Sequence, residues 1–187
     1  MQIIVMSFFE LGSIKSFDWT RSNSTNAAGR SDSTNAGRFN LACCIKQAVV
    51  SLVYAYSVKG IVHGDFHAAN VLLRRIRRRS IMYKFKTFTI EAETMGMQAV
   101  IADFENSKVV DDFEGGERFA KFNFYQDLQK FFALLPHFVR GVDAKIANNA
   151  VLVVSRAFQD ELPPVDLVDP SAGVGLLDAI CAFGTCN

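Results

Sequence analysis

The sequence predicts an α+β fold, mainly α-helical, with a β-hairpin inserted in its middle. Three patterns predict it: apolar residues at helical spacing within 39–60, the same spacing within 122–135, and strand-like segments between 74 and 98. The 187 residues, 50% hydrophobic and 21% charged, can bury one substantial core, and 17 Phe make that core aromatic. One domain is expected over 1–187: an opening strand and linker at 1–20, a low-complexity insertion at 21–38, and the main body at 39–187.

Taken in order, residues 2–17, QIIVMSFFELGSIKSF, begin as an apolar strand and become polar after Phe9. Residues 21–38, RSNSTNAAGRSDSTNAGR, are an imperfect duplication rich in Ser, Asn and Gly. Such a stretch has too little apolar surface to offset its ordering entropy, so a flexible surface insertion is expected. Asn23-Ser24-Thr25 has the form of a glycosylation sequon, idle in the absence of a secretory signal. Ile45, Val49, Leu52, Val53 and Tyr56 then fall on one face of a helix that should stop at Gly60.

The segment 61–73, IVHGDFHAANVLL, reads as a short apolar strand, a polar loop and a second strand. From 74 to 98 an extended hairpin is expected, with alternation failing near Thr87 at a bulge. Arg74, Arg75, Arg77, Arg78 and Arg79 cluster at its start. They could capture an acidic substrate or a nucleic-acid phosphate, although a charged, solvated hairpin edge is the plainer expectation. A strand at 99–102 leads to Asp103, and Tyr125, Leu128, Phe131, Phe132 and Leu135 mark the second amphipathic helix. Beyond it, 144–158 reads as a helix, 162–170 as a turn-rich connection and 172–183 as a last short helix.

The global charge gives no push toward nucleic acid or a membrane surface, being +1 with a pI near 7.7. Cys43, Cys44, Cys181 and Cys186 lack the paired spacing of a zinc site, and the adjacent pair reads as small core filler. The opening apolar residues are too few for a membrane span and carry no basic flank. A cytoplasmic location is therefore expected, with no membrane partner and nucleic acid an unfavoured one.

Function resides in two motifs. His63, Asp65 and Asn70 stand in an H-x-D-x(4)-N frame, and Asp103 follows the strand AVIA. Together they resemble the catalytic loop and metal-binding Asp element of the protein-kinase-like superfamily. The resemblance implies a kinase C-lobe with ATP and Mg2+ as cofactors. Asp65 would be the catalytic base, Asn70 and Asp103 the metal ligands, and His63 a packing and hydrogen-bonding residue. It also implies that Asp127 is the buried carboxylate by which a central helix holds the loop backbone, and that Met6, Ser7 and Phe9 lie at the hinge and face the adenine.

Departures from the pattern are specific. Gly64 replaces an arginine, His67 a lysine and Glu105 a glycine, and no Ala-Pro-Glu element follows. Glu105 adds a negative charge near the implied metal site, either as an extra ligand or, the favoured expectation, as a surface residue pointing away. The HGD-x-H form is similar to aminoglycoside-phosphotransferase-like kinases and to divergent kinases of large DNA viruses. No glycine-rich loop precedes the hinge, so the N-lobe is expected to be largely absent from this chain, and a partner carrying one or a protein substrate is implied. Three function classes follow: a divergent ATP-dependent protein kinase of Ser/Thr type or its C-lobe, a pseudokinase or interaction module, and an atypical small-molecule kinase.

Overall fold

A computed structural model describes residues 9–17 and 33–138, with side chains described for 9–17 and 40–133. Met6, Ser7, Leu135 as a side chain, residues 21–32, Cys181, Cys186 and the three segments expected after 144 lie outside the described residues.

The described fold is a mixed α+β arrangement of two helices and three small antiparallel ladders. Helix α1 (Ser33–Lys59) carries little but apolar and small side chains through its middle, and it runs along the centre of the core. Ile45, Val49, Leu52, Val53 and Tyr56 are all buried, as their spacing predicts. It ends where Gly60 takes φ 65°, a left-handed conformation open to glycine, and the Gly60 N–H donates to the Tyr56 carbonyl at 2.9 Å. Its start corrects the expectation for 21–38: residues 33–38 belong to the helix, because the polar repeat also contains good helix formers and a long apolar face follows it.

The window Asn40–Lys59 is long and apolar enough to cross a membrane by length and composition. Of that window 56% is buried inside the protein. Its polar Gln47 is fully buried. The Gln47 amide donates to the carbonyls of Glu93 and Met97 at 3.0 and 3.1 Å, and its oxygen accepts the Ala99 N–H at 2.9 Å. All three contacts tie the helix to strands, the role of a core helix.

After Gly60 come β1 (Ile61–Val62), β2 (Val71–Arg75), β3 (Ser80–Lys84), β4 (Thr89–Glu93), β5 (Met97–Ile101) and β6 (Lys108–Val109). The hairpin expected at 74–98 is two nested ladders. β2 pairs with β5, Val71 opposite Ile101 and Arg75 opposite Met97, and β3 pairs with β4, Ser80 opposite Glu93 and Lys84 opposite Thr89. Thr87 sits in the connecting turn rather than at a bulge: the Phe85 N–H donates to the Phe88 carbonyl at 2.9 Å, and the rings of Phe85 and Phe88 stack at 4.9 Å. Alternation fails there because the strands end.

Residues 9–17 lie along β2 as turns with a single bridge between Ser13 and Leu72, not as a continuing strand. Ile14, fully buried there, donates its N–H to the Val71 carbonyl at 2.9 Å. The Arg75 N–H donates to Glu10 Oε1 at 2.7 Å, and that hydrogen bond is the main reason the Glu10 carboxyl is held below its usual range.

Helix α2 (Gly116–Phe138) starts earlier than its apolar spacing alone suggests and buries Ala120, Phe124, Tyr125, Leu128, Phe131 and Phe132. Phe124 stacks on Tyr56 of α1 at 4.4 Å, and Phe131 stacks on Phe66 of the 63–70 loop at 4.5 Å. Each fully buried Phe contributes about 2 kcal/mol of apolar transfer. Among the described residues, the largest fully buried side chains, Phe66, Phe124, Phe131 and Phe132, therefore sit on α2 and the loop it packs against. Cys43 and Cys44 are buried free thiols on α1, pushed up to about 11 and about 12, chiefly by burial.

Candidate functional site

The loop between β1 and β2 is anchored from two sides. Beneath it, Asp127 of α2 is 1% exposed, and its carboxylate accepts the Gly64 N–H at 2.8 Å and the Phe66 N–H at 3.1 Å. These two donors flank Asp65 in the chain, so one buried carboxylate fixes the backbone on both sides of that residue. Beside it, the equally buried His63 takes the Asp65 N–H on Nδ1 at 3.3 Å. The other ring nitrogen, Nε2, then carries the proton and donates to the Ala102 carbonyl at 2.9 Å. His63 thus joins the loop to the residue before Asp103.

Gly64 is required by this geometry. Its φ is 83°, and a Cβ there would meet the Asn106 carbonyl oxygen at 2.5 Å. An arginine at this position would collide with the backbone of the 103–107 turn. The glycine therefore lets the two motif segments pack against each other.

Asp65 is half-exposed above this base. Its carbonyl accepts from Asn70 Nδ2 at 3.1 Å, which commits the amide nitrogen of Asn70 and leaves Asn70 Oδ1 as an acceptor or ligand. The Ala102 N–H donates to the Asn70 carbonyl at 2.8 Å. Asp103 follows at once, exposed and at φ 64°, a conformation Asp adopts more readily than most side chains but still at a cost of about 1 kcal/mol or more. Among the described residues its carboxylate has no hydrogen-bond or ion-pair partner. Phe104 lies 4.9 Å from the His63 ring, and Glu105 is exposed as expected.

Two nitrogen-bearing side chains approach Asp65. His67 Nε2 is 3.5 Å from one carboxylate oxygen, and Lys130 Nζ is 3.9 Å from the other. Lys130 was not among the residues singled out from the sequence. The signal was its place three residues after Asp127 on one helix, which puts both on the side facing the loop, the carboxylate deep and the long cation at the rim.

Among the described residues no group of three or more His, Cys, Asp and Glu could hold a metal. Asn70 and Asp103 are one amide and one carboxylate. That donor set fits a hard ion such as Mg2+, which commonly takes one or two protein oxygens and completes its shell with phosphate and water. For the hinge residues, the structure reaches Phe9 alone, whose carbonyl closes a turn by accepting the Gly12 N–H at 3.2 Å. Comparison with protein-family models, curated proteins and solved structures finds no match to this chain.

Proposed function

We propose that this chain carries the catalytic loop of a divergent kinase-type phosphotransferase that uses Mg-ATP to phosphorylate a hydroxyl, of Ser/Thr type where the acceptor is a protein. The observation that carries the reading is the Asp127 carboxylate, buried and bonded to the backbone on both sides of Asp65. A fold gains little from burying a charge beneath an exposed polar loop unless the loop must be held in one geometry.

ATP with Mg2+ would supply the phosphoryl group and the charge neutralisation. Asn70 Oδ1 and the Asp103 carboxylate would hold the ion. Asp65, fixed at both neighbouring amides, would orient the acceptor hydroxyl and take its proton. His67 and Lys130, at the rim on either side of that carboxylate, would meet phosphate oxygens with donors. Asp127 and His63 touch neither substrate nor metal and act as positioning residues. Met6, Ser7 and Phe9 remain the proposed adenine contacts.

Calorimetric titration with ATP, with and without Mg2+, tests this, followed by radiolabelled phosphate transfer. The expected result is binding that requires Mg2+ and is lost in Asp103→Asn. Asp65→Asn should still bind but lose transfer. Absence of binding at any Mg2+ concentration would favour a nucleotide-independent interaction module instead.

A further inference from the structure

Of the arginine cluster, Arg74 and Arg75 lie on β2, while the exposed Arg77, Arg78 and Arg79 follow it outside any strand. Residues 76–79 connect β2 to β3 at the joint between the two nested ladders, and their backbone is tied down across that joint. The Ile76 N–H donates to the Gly96 carbonyl at 2.9 Å, the fully buried Thr94 donates its hydroxyl to the Arg78 carbonyl, and the Thr94 N–H donates to the Arg79 carbonyl at 3.0 Å. Consecutive side chains on a strand alternate between faces. Here Arg77, Arg78 and Arg79 all line one recess of about 610 Å³, opposite Ala42, Cys43 and Lys46 of α1.

Four basic residues, the exposed Arg77, Arg78 and Arg79 and the helical Lys46, thus line a single open recess from two separate elements. Glu91 and Glu93 line it as well, yet among the described residues none of the four cations forms an ion pair with a carboxylate. Arginines kept apart from available carboxylates, on a backbone held by a buried threonine, are arranged for an anion from solution. The volume falls in the range that encloses small ligands. It exceeds a single phosphate, and four cations suit several anionic groups. The two glutamates would oppose a ligand that is anionic all round, but they can accept hydrogen bonds from hydroxyl groups.

We propose that this recess is a binding site for a small polyphosphorylated molecule that also bears hydroxyls. Its phosphates would sit on Arg77, Arg78, Arg79 and Lys46, and its hydroxyls on Glu91 and Glu93. The site is independent of the 63–70 loop and of the phosphotransferase proposal.

Calorimetric titration of the full chain with a myo-inositol bisphosphate tests the site, with tripolyphosphate as the hydroxyl-free probe and single-stranded RNA as the polymer. One-to-one binding is expected, with the bisphosphate preferred over tripolyphosphate at equal ionic strength. Arg78→Gln and Lys46→Gln, on opposite walls, should each weaken it by about tenfold. Arg74→Gln, which removes the same charge from a side chain already bonded to Gln98 Oε1 at 2.7 and 2.9 Å, should leave it unchanged. Circular dichroism of each variant verifies the fold. Equal losses in Arg74→Gln and Arg78→Gln would reduce the site to diffuse charge. Binding of RNA without the bisphosphate, a preference for tripolyphosphate, or no binding at all would overturn the proposal.

Discussion

The 63–70 loop and the nested hairpins at 71–101 are both held by buried polar side chains, but in opposite ways. In the hairpins the backbone satisfies most of its own hydrogen bonds through ladder pairing, and Gln47 adds a neutral clasp from α1. In the loop, the amides on either side of Asp65 have no ladder partner and depend on one charged side chain, Asp127, more than 60 residues away in sequence. The hairpins can form from nearby sequence, whereas the loop gets its shape only when α2 docks. The half-exposed Asp65 sits where the backbone depends on a distant anchor, and the exposed Arg77, Arg78 and Arg79 sit where the backbone is tied across the joint between two ladders.

The largest expected effect comes from removing that anchor. Asp127→Ala leaves the part-buried Gly64 N–H and the buried Phe66 N–H without an acceptor and should cost about 3 kcal/mol in denaturant unfolding. Amide hydrogen exchange should quicken across 63–70 and hardly change in β3 and β4. Uniform loosening of both regions would mean that they do not form separate units. Gln47→Leu is the converse experiment. It keeps the apolar bulk but strands the Ala99 N–H and two carbonyls, for about 2 kcal/mol, and the faster exchange should fall in β4 and β5. Faster exchange in the 63–70 loop instead would break the contrast.

A smaller effect comes with alkaline pH. Burial is the main cause that raises the Cys44 thiol from 9.0 to about 12 and the Tyr56 phenol from 10.0 to about 12. Both groups ionise more readily in the unfolded chain, so their stabilising effect is complete below pH 9 and is lost as pH rises through their folded values. The urea midpoint should therefore decline from pH 9 upward, and Cys44→Ala should flatten the first part of that decline. An unchanged slope in Cys44→Ala would show that this thiol does not titrate with unfolding.

Much of this was legible from the residues. Apolar spacing placed both helices and their buried faces, because a 3.6-residue period has one physical solution when one side must leave water. The Gly60 stop was legible too, whereas a buried carboxylate at Asp127, on the helix that buries Tyr125, Leu128 and Phe131, was legible only through the resemblance. The earlier starts of α1 and α2 were not, since helix ends depend on what they dock against. Nor was the nesting of the hairpins, where the break at Thr87 marks a turn and the break at 76–79 marks a joint between two ladders.

The sequence by itself determined the two helices among the described residues and the strand-rich stretch between them, which residue types stand in the two motifs, and that the core is aromatic. All of these follow from local periodicity and composition. The tertiary structure alone decided that Gly64 must be glycine because the Asn106 carbonyl crosses it, that Lys130 reaches Asp65, and that Arg77, Arg78 and Arg79 share one recess with Lys46. Each depends on where two segments distant in sequence come to rest against each other, and that is set by the packing of the whole core rather than by any window of the chain.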